Sequence, residues 1–127
     1  MGVVEDVAFD DWRAVLDTNL TGAFLCAQAA FRLMKRQSPR GGRIINMLNT
    51  AAKEPPARSV PTSVSRAAGL ALTKALSKEL APEGILVNAV CLGLVKSGQW
   101  VRRWEAAGRP GTLEAFYEDF ARDAKVP

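Results

Sequence analysis

From Asp10 onward the chain alternates polar stretches with apolar runs of two different periods. Trp12, Val15, Leu16, Ala23, Phe24, Ala27, Ala30, Phe31 and Met34 recur at helical spacing, opened by Asp10–Asp11 and closed by Lys35–Arg36 before Pro39 and Gly41–Gly42. Thr21–Gly22, midway, is a candidate break into two helices. Ile44, Ile45, Met47 and Leu48 then form a nearly continuous apolar run between Gly42 and polar Asn49–Thr50. That pattern predicts a strand buried on both faces, as in a parallel sheet.

Residues 51–61 carry Pro55, Pro56 and Pro61 and read as a loop. Thr62 or Ser63 can cap the next helix, which runs to about Leu80 and is stopped by Pro82 and Gly84. Its wide Ala- and Leu-rich surface predicts burial against two neighbours. Ile85 to Cys91 is a second strand of the kind covered on both faces, followed by Gly93. Trp100, Val101 and Trp104 suggest one further helix, and Leu113, Phe116, Tyr117 and Phe120 another, with Gly108, Pro110 and Gly111 between them. The order helix, strand, helix, strand, helices is βαβ grammar and predicts an α/β fold. Two strands that want cover on both faces need neighbours, so the missing strands come from elsewhere or the sequence is part of a longer parent.

Composition narrows the chemistry. The 127 residues are 48% hydrophobic and 24% charged, a profile that builds a core and argues against disorder. There is no histidine, which excludes Ser-His-Asp and Cys-His catalysis and any His-ligated metal; no metal site is expected. Tyr117 is the one tyrosine, so a general acid or base must come from Asp, Glu, Lys, Cys or that residue. Cys26 and Cys91 are expected as small apolar filler on a buried helix and a buried strand. The longest uncharged run, Thr18 to Phe31, is too short and polar to span a bilayer, and a cytoplasmic setting is expected.

The net charge of +4 is unevenly spread. Residues 1–20 hold five acids (Glu5, Asp6, Asp10, Asp11, Asp17) against Arg13, whereas residues 32–58 hold seven bases against Glu54. Such bases can mark a nucleic-acid patch, but acids entering a helix and bases leaving it also complement its dipole. The second reading is preferred, because no aromatic residues interleave Arg32, Lys35, Arg36, Arg40 and Arg43. No nucleic-acid or membrane partner is expected.

The stretch Asp11-Trp12 through Asp17-Thr18-Asn19-Leu20-Thr21-Gly22, followed by Gly42-Arg43-Ile44-Ile45-Asn46, resembles the short-chain dehydrogenase/reductase family. The resemblance continues through Arg66-Ala67-Ala68, Leu72-Thr73-Lys74, Glu79-Leu80-Ala81 and Gly84-Ile85-Leu86-Val87-Asn88-Ala89-Val90. It implies a partial Rossmann-type doubly wound parallel sheet, the middle to C-terminal portion with about two strands and flanking helices. Residues 1–127 would form a single partial domain, with 97–127 a substrate-covering helical segment. The implied activity is NAD- or NADP-dependent hydride transfer between the nicotinamide and a carbonyl or alcohol substrate. No Gly-rich phosphate loop occurs in these residues, so the chain on its own is expected to be inactive.

By the same resemblance, Thr62 falls where the family has its acid/base Tyr and Arg66 where it has the Lys that holds the nicotinamide ribose. Asn49 falls at the position of the Ser that orients the carbonyl, and Asn19 at that of the proton-relay Asn. Only Asn19 is the expected residue. A threonine hydroxyl hydrogen-bonds but does not ionise near neutrality, whereas Arg66 keeps a positive charge without serving as a proton conduit. Asn49 could polarise a carbonyl through its amide N–H. Binding groups thus persist while the proton donor is lost, at a typical cost of about 10²–10⁴ in rate.

Gly93 and Ser97 match family positions beside the nicotinamide, and Ser97 can equally cap the helix before Trp100. Leu92 replaces a proline usual before Gly93. Tyr117 could approach a substrate, although packing with Leu113, Phe116 and Phe120 is the preferred reading. Family members commonly dimerise through the helices corresponding to residues 10–37 and 62–81, and a homo-oligomer is expected. The competing reading is a non-catalytic, degenerate binding or dimerisation module.

Overall fold

The computed structural model describes residues 3–123. The chain divides into two compact units, Met1–Cys91 and Leu92–Pro127. In the first, α1 (Phe9–Leu16) and α2 (Gly22–Met34) are joined by a π-helical turn at Asp17–Thr21. Leu16, Asp17, Thr21 and Gly22 all keep right-handed helical angles, so the expected break at Thr21–Gly22 is instead a widened turn in an unbroken helical path. Asp10 and Asp11 sit in the first turn of α1, and Arg32 in the last turn of α2, as the helix dipole favours.

Strands β1 (Gly42–Asn49) and β2 (Ile85–Leu92) pair in a parallel two-stranded sheet, with α3 (Thr62–Glu79) between them in sequence. The expected α/β architecture is therefore present. A short 3₁₀ turn, Thr50–Ala52, follows β1, and Pro61 rather than Thr62 or Ser63 occupies the cap position of α3. The Ser63 hydroxyl is engaged elsewhere, donating to Ser59 Oγ at 2.6 Å.

The first unit's core gathers where the strands begin. Leu80, Ile85 and Val87 are buried against Phe31, Met34, Ile44 and Leu76. Side chains of this size each stabilise the fold by about 1.5–3 kcal/mol when fully buried. Beside them Gly41 must be glycine: its φ is +103°, and a Cβ there would lie 2.8 Å from the carbonyl oxygen of Gly84.

Farther along α3 the inward residues are small: Ser63, Ser65, Gly69 and Thr73. A Cβ on Gly69 would meet Leu48 Cδ2 at 2.8 Å, so the missing side chain is what lets helix and strand approach. Thr73 Oγ1 accepts from Asn46 Nδ2 at 2.8 Å and donates to the Gly69 carbonyl, which satisfies a polar residue set in the sheet. The helix packs against β1 and against the π turn, while Val64, Ala67, Ala71 and Ala75 stay exposed.

Two burial expectations need correction. Among the described residues the strands are covered on one face: Ile44, Asn46 and Leu48 turn toward α2 and α3, whereas Ile45 and Met47, at 57% and 52% exposed, face away with Leu86, Val90 and Leu92. Strand side chains alternate, and both helices that pack on β1 meet the same set of residues. Cys26 is exposed rather than buried, because α2 turns Ala27 inward instead; Cys91 is half-buried.

The second unit contains α4 (Gly98–Ala106) and α5 (Leu113–Asp123), with Gly108, Pro110 and Gly111 between them. The Phe120 ring packs at 4.7 Å from Trp100 and 4.9 Å from Phe116, centroid to centroid. Among the described residues no helix is long and apolar enough to cross a membrane.

Candidate functional site

The C-terminal end of β1 and the first turns of α3 bring several polar side chains together. Asn19 lies in the π turn, a local widening of the kind that often marks a functional position. Its Nδ2 donates to Ser65 Oγ at 3.0 Å, and Ser65 Oγ donates in turn to the Thr62 carbonyl at 2.7 Å. Ser65 is 1% exposed, so this chain of bonds ties the π turn to a buried hydroxyl at the start of α3. It also commits the Asn19 side chain to an anchoring contact.

Arg66, next along the helix, reaches across to the strand. Its Nη1 donates to the Met47 carbonyl at 3.0 Å, and its Nε is buried with no partner. Asn49, two residues beyond Met47, ends β1 with its Oδ1 likewise buried and unpartnered. Leaving such atoms unsatisfied typically costs about 1–3 kcal/mol each. Asn49 Oδ1 is an acceptor and Arg66 Nε a donor, so the two buried atoms are of opposite kind.

Within the first unit, then, Asn19, Asn49, Thr62 and Arg66 all belong to the joined ends of the π turn, β1 and α3. Gly93 and Ser97 belong to the second unit. A Cβ on Gly93 would meet nothing within 4 Å. Ser97 occupies the N-cap position of α4, where its carbonyl accepts from Trp100 and Val101 N–H, but its hydroxyl makes no capping bond. Tyr117, also in the second unit, is 7% exposed and has Lys96 Nζ 5.2 Å from its ring centroid. The pKa of that lysine is raised, chiefly by its hydrogen bond to Glu114 and against a smaller effect of desolvation.

Two participants were not singled out from sequence. Ser65 was missed although a serine in the first turn of an Ala-rich helix was available as a signal. The Met47 carbonyl is a backbone group and has no residue signature at all.

Comparison with known proteins sets this arrangement in a lineage. The family model of short chain dehydrogenases matches residues 1–107. A ketoacyl reductase ascribed to the monensin polyketide synthase of Streptomyces virginiae is 40% identical over 128 residues, covering 99% of this chain and 48% of the relative. The crystal structure of acetoin dehydrogenase from Enterobacter cloacae is 31% identical with a TM-score of 0.73, covering 94% of this chain and 50% of that one. An NADPH-bound short chain oxidoreductase from Pseudomonas aeruginosa PAO1, described as containing an atypical catalytic center, is 27% identical with a TM-score of 0.74, covering 84% of this chain and 40% of that one. The chain spans 34–48% of the length of the curated relatives it matches. With the model match over most of its residues, and the β1–α3–β2 unit carrying its own polar cluster, the chain belongs to the short-chain dehydrogenase family.

Proposed function

We propose that this chain supplies the substrate-facing part of an NAD- or NADP-dependent oxidoreductase that moves hydride between the nicotinamide and a carbonyl or alcohol substrate. The observation that carries this reading is the pair of unpartnered, buried atoms, Arg66 Nε and Asn49 Oδ1, at the carboxyl end of β1. Crevices at that end of the strands are where open α/β sheets bind ligands. The NADPH in the Pseudomonas aeruginosa relative supports the choice of cofactor.

Arg66 would hold the nicotinamide ribose; the bound cofactor would supply the hydride. Asn49 would orient the reacting oxygen through its amide N–H. Thr62 contributes a hydrogen bond, and Asn19, through Ser65, fixes the first turn of α3 on which Thr62 and Arg66 ride. A homo-oligomer through helices 10–37 and 62–81 is supported by the exposed Phe24, Leu25 and Leu33 on α2 and the exposed Val64 on α3. The setting is cytoplasmic.

The alternative, a non-catalytic binding or dimerisation module, is favoured by Thr62 alone, since no side chain of the first unit replaces the missing phenol. Reduced nicotinamide mononucleotide tests for a nicotinamide site, because it needs no adenosine cradle. It is expected to bind the folded chain in the millimolar range, seen as a change in dihydronicotinamide fluorescence, and to bind more weakly to Arg66→Ala. Absence of binding, with circular dichroism showing an intact fold, overturns the oxidoreductase reading.

A further inference from the structure

The start of α3 has no side-chain cap of its own. Pro61 occupies the cap position and brings neither a hydroxyl nor a carboxamide, while the Ser63 hydroxyl bonds back to Ser59 in the preceding loop. Helix ends without such caps fray, yet Thr62 and Arg66 both ride on this one. Its first turns are instead held from two other elements. Asn19, in the π turn and 46 residues from Ser65 along the chain, donates to the Ser65 hydroxyl at 3.0 Å. Arg66 Nη1 donates to the carbonyl of Met47 on β1, also at 3.0 Å.

A serine hydroxyl has one hydrogen to give. Ser65 gives it to the Thr62 carbonyl at 2.7 Å, so its contact with Asn19 runs one way: Asn19 Nδ2 donates and Ser65 Oγ accepts. Ser65 is buried, and a hydrogen bond in such surroundings is stronger than one in water. Resting on the oxidoreductase reading, we propose that Ser65, anchored by Asn19, is a positioning residue for Arg66: it fixes the turn from which the guanidinium reaches the strand. Asn19 then acts through α3 rather than as a proton relay. A long side chain rooted in a turn that shifts by about 1 Å presents its donors in the wrong place.

NMR relaxation of the Arg66 Nε–H in the full chain tests the proposal, with exposed Arg13 on α1 as the reference for a free arginine. In the parent chain the Arg66 order parameter is expected in the range of rigid backbone. Ser65→Ala and Asn19→Ala should each bring it most of the way down to that of Arg13, while the backbone N–H groups of Ile85 and Val87 stay rigid. An Arg66 that stays rigid in both variants, or loosens only together with Ile85 and Val87, overturns the proposal. Should Ser65→Ala not fold, Asn19→Ala carries the test, since it leaves the bond from Ser65 to Thr62 in place. If neither variant folds, the bond belongs to the fold and the proposal falls.

Reduced nicotinamide mononucleotide supplies the second measurement. It is expected to bind Ser65→Ala about tenfold more weakly than the parent, the effect of one lost buried hydrogen bond. In an Arg66→Ala background the same substitution should cost nothing further, because Ser65 acts through Arg66. A further loss in that background, or no loss in the parent background, overturns the proposal. The two readings fail separately. A parent chain that binds no mononucleotide, yet loosens Arg66 in both variants, ends the oxidoreductase reading and keeps Ser65 as the residue that positions Arg66. Mononucleotide binding with Arg66 rigid in both variants does the reverse.

Discussion

The two ends of the small sheet are built on opposite principles. Where the strands begin, every feature closes space: Leu80, Ile85 and Val87 are buried together, Gly42 N–H donates to the Gly84 carbonyl at 3.3 Å, and Gly41 leaves no room for a methyl group. Where β1 ends, serines replace leucines, a guanidinium lies against the strand, and two polar atoms stay buried without partners. One helix, α3, serves both ends. Close apolar packing is concentrated at one end and unpartnered polar atoms at the other, so a change at either should register differently.

The largest effect belongs to the closed end. Ile85→Ala removes a fully buried side chain from the centre of the core and should cost about 2–5 kcal/mol, read from urea unfolding. A cost below that of substitutions near Asn49 would abolish the contrast. Gly41→Ala comes next, with about 1–3 kcal/mol expected from a strained left-handed backbone and a Cβ pressed on a carbonyl that cannot rotate away. If the variant unfolds at the same urea concentration as the parent chain, the approach of Gly41 to Gly84 is looser than described. At the polar end, Asn49→Ala should leave stability unchanged or raise it by up to about 1 kcal/mol, because it removes an unsatisfied buried acceptor. A clear loss of stability would mean that Asn49 serves the fold.

The smallest effect lies in the second unit. The Lys96 pKa is raised above its ordinary 10.5, first by the hydrogen bond to Glu114. A raised folded-state value means that the contribution is fully present below the unfolded value and is lost as pH climbs through the folded one. Helical circular dichroism should therefore stay flat to about pH 10 and soften above it, with Glu114→Gln removing the high-pH change. Both side chains are well exposed, so the change is expected to be slight.

The sequence was most legible where pattern and punctuation agree. Thr62 to about Leu80 was read as a helix and Thr62–Glu79 is one; the apolar runs at Ile44 and Ile85 are both strands. Periodicity could not tell which face of a strand would be covered, because Ile45 and Met47 are as apolar as Ile44 and Leu48, and cover depends on what packs there. Gly22 looked like a break because helix propensity disfavours glycine, yet the path stays helical and the anomaly is one residue of extra width in the turn before it. At the site, Asn49 and Arg66 could be named from their place in the motif order. That Arg66 Nη1 would bond a main-chain carbonyl and leave Nε buried without a partner depends on where the helix lies against the strand, which residue types do not encode.

The widened turn at Asp17–Thr21 also bears on how this lineage tolerates insertion and deletion. A π turn amounts to an α-helix with one residue too many, and successive residues on an α-helix are rotated by about 100°. A one-residue deletion there would relax the segment into regular helix, better hydrogen-bonded than before, and would swing Asn19 off the line to Ser65. The extra residue therefore looks dispensable to the helix and indispensable to the bond, so a length polymorphism at this turn would separate chains that keep the Asn19 anchor from chains that keep only the fold.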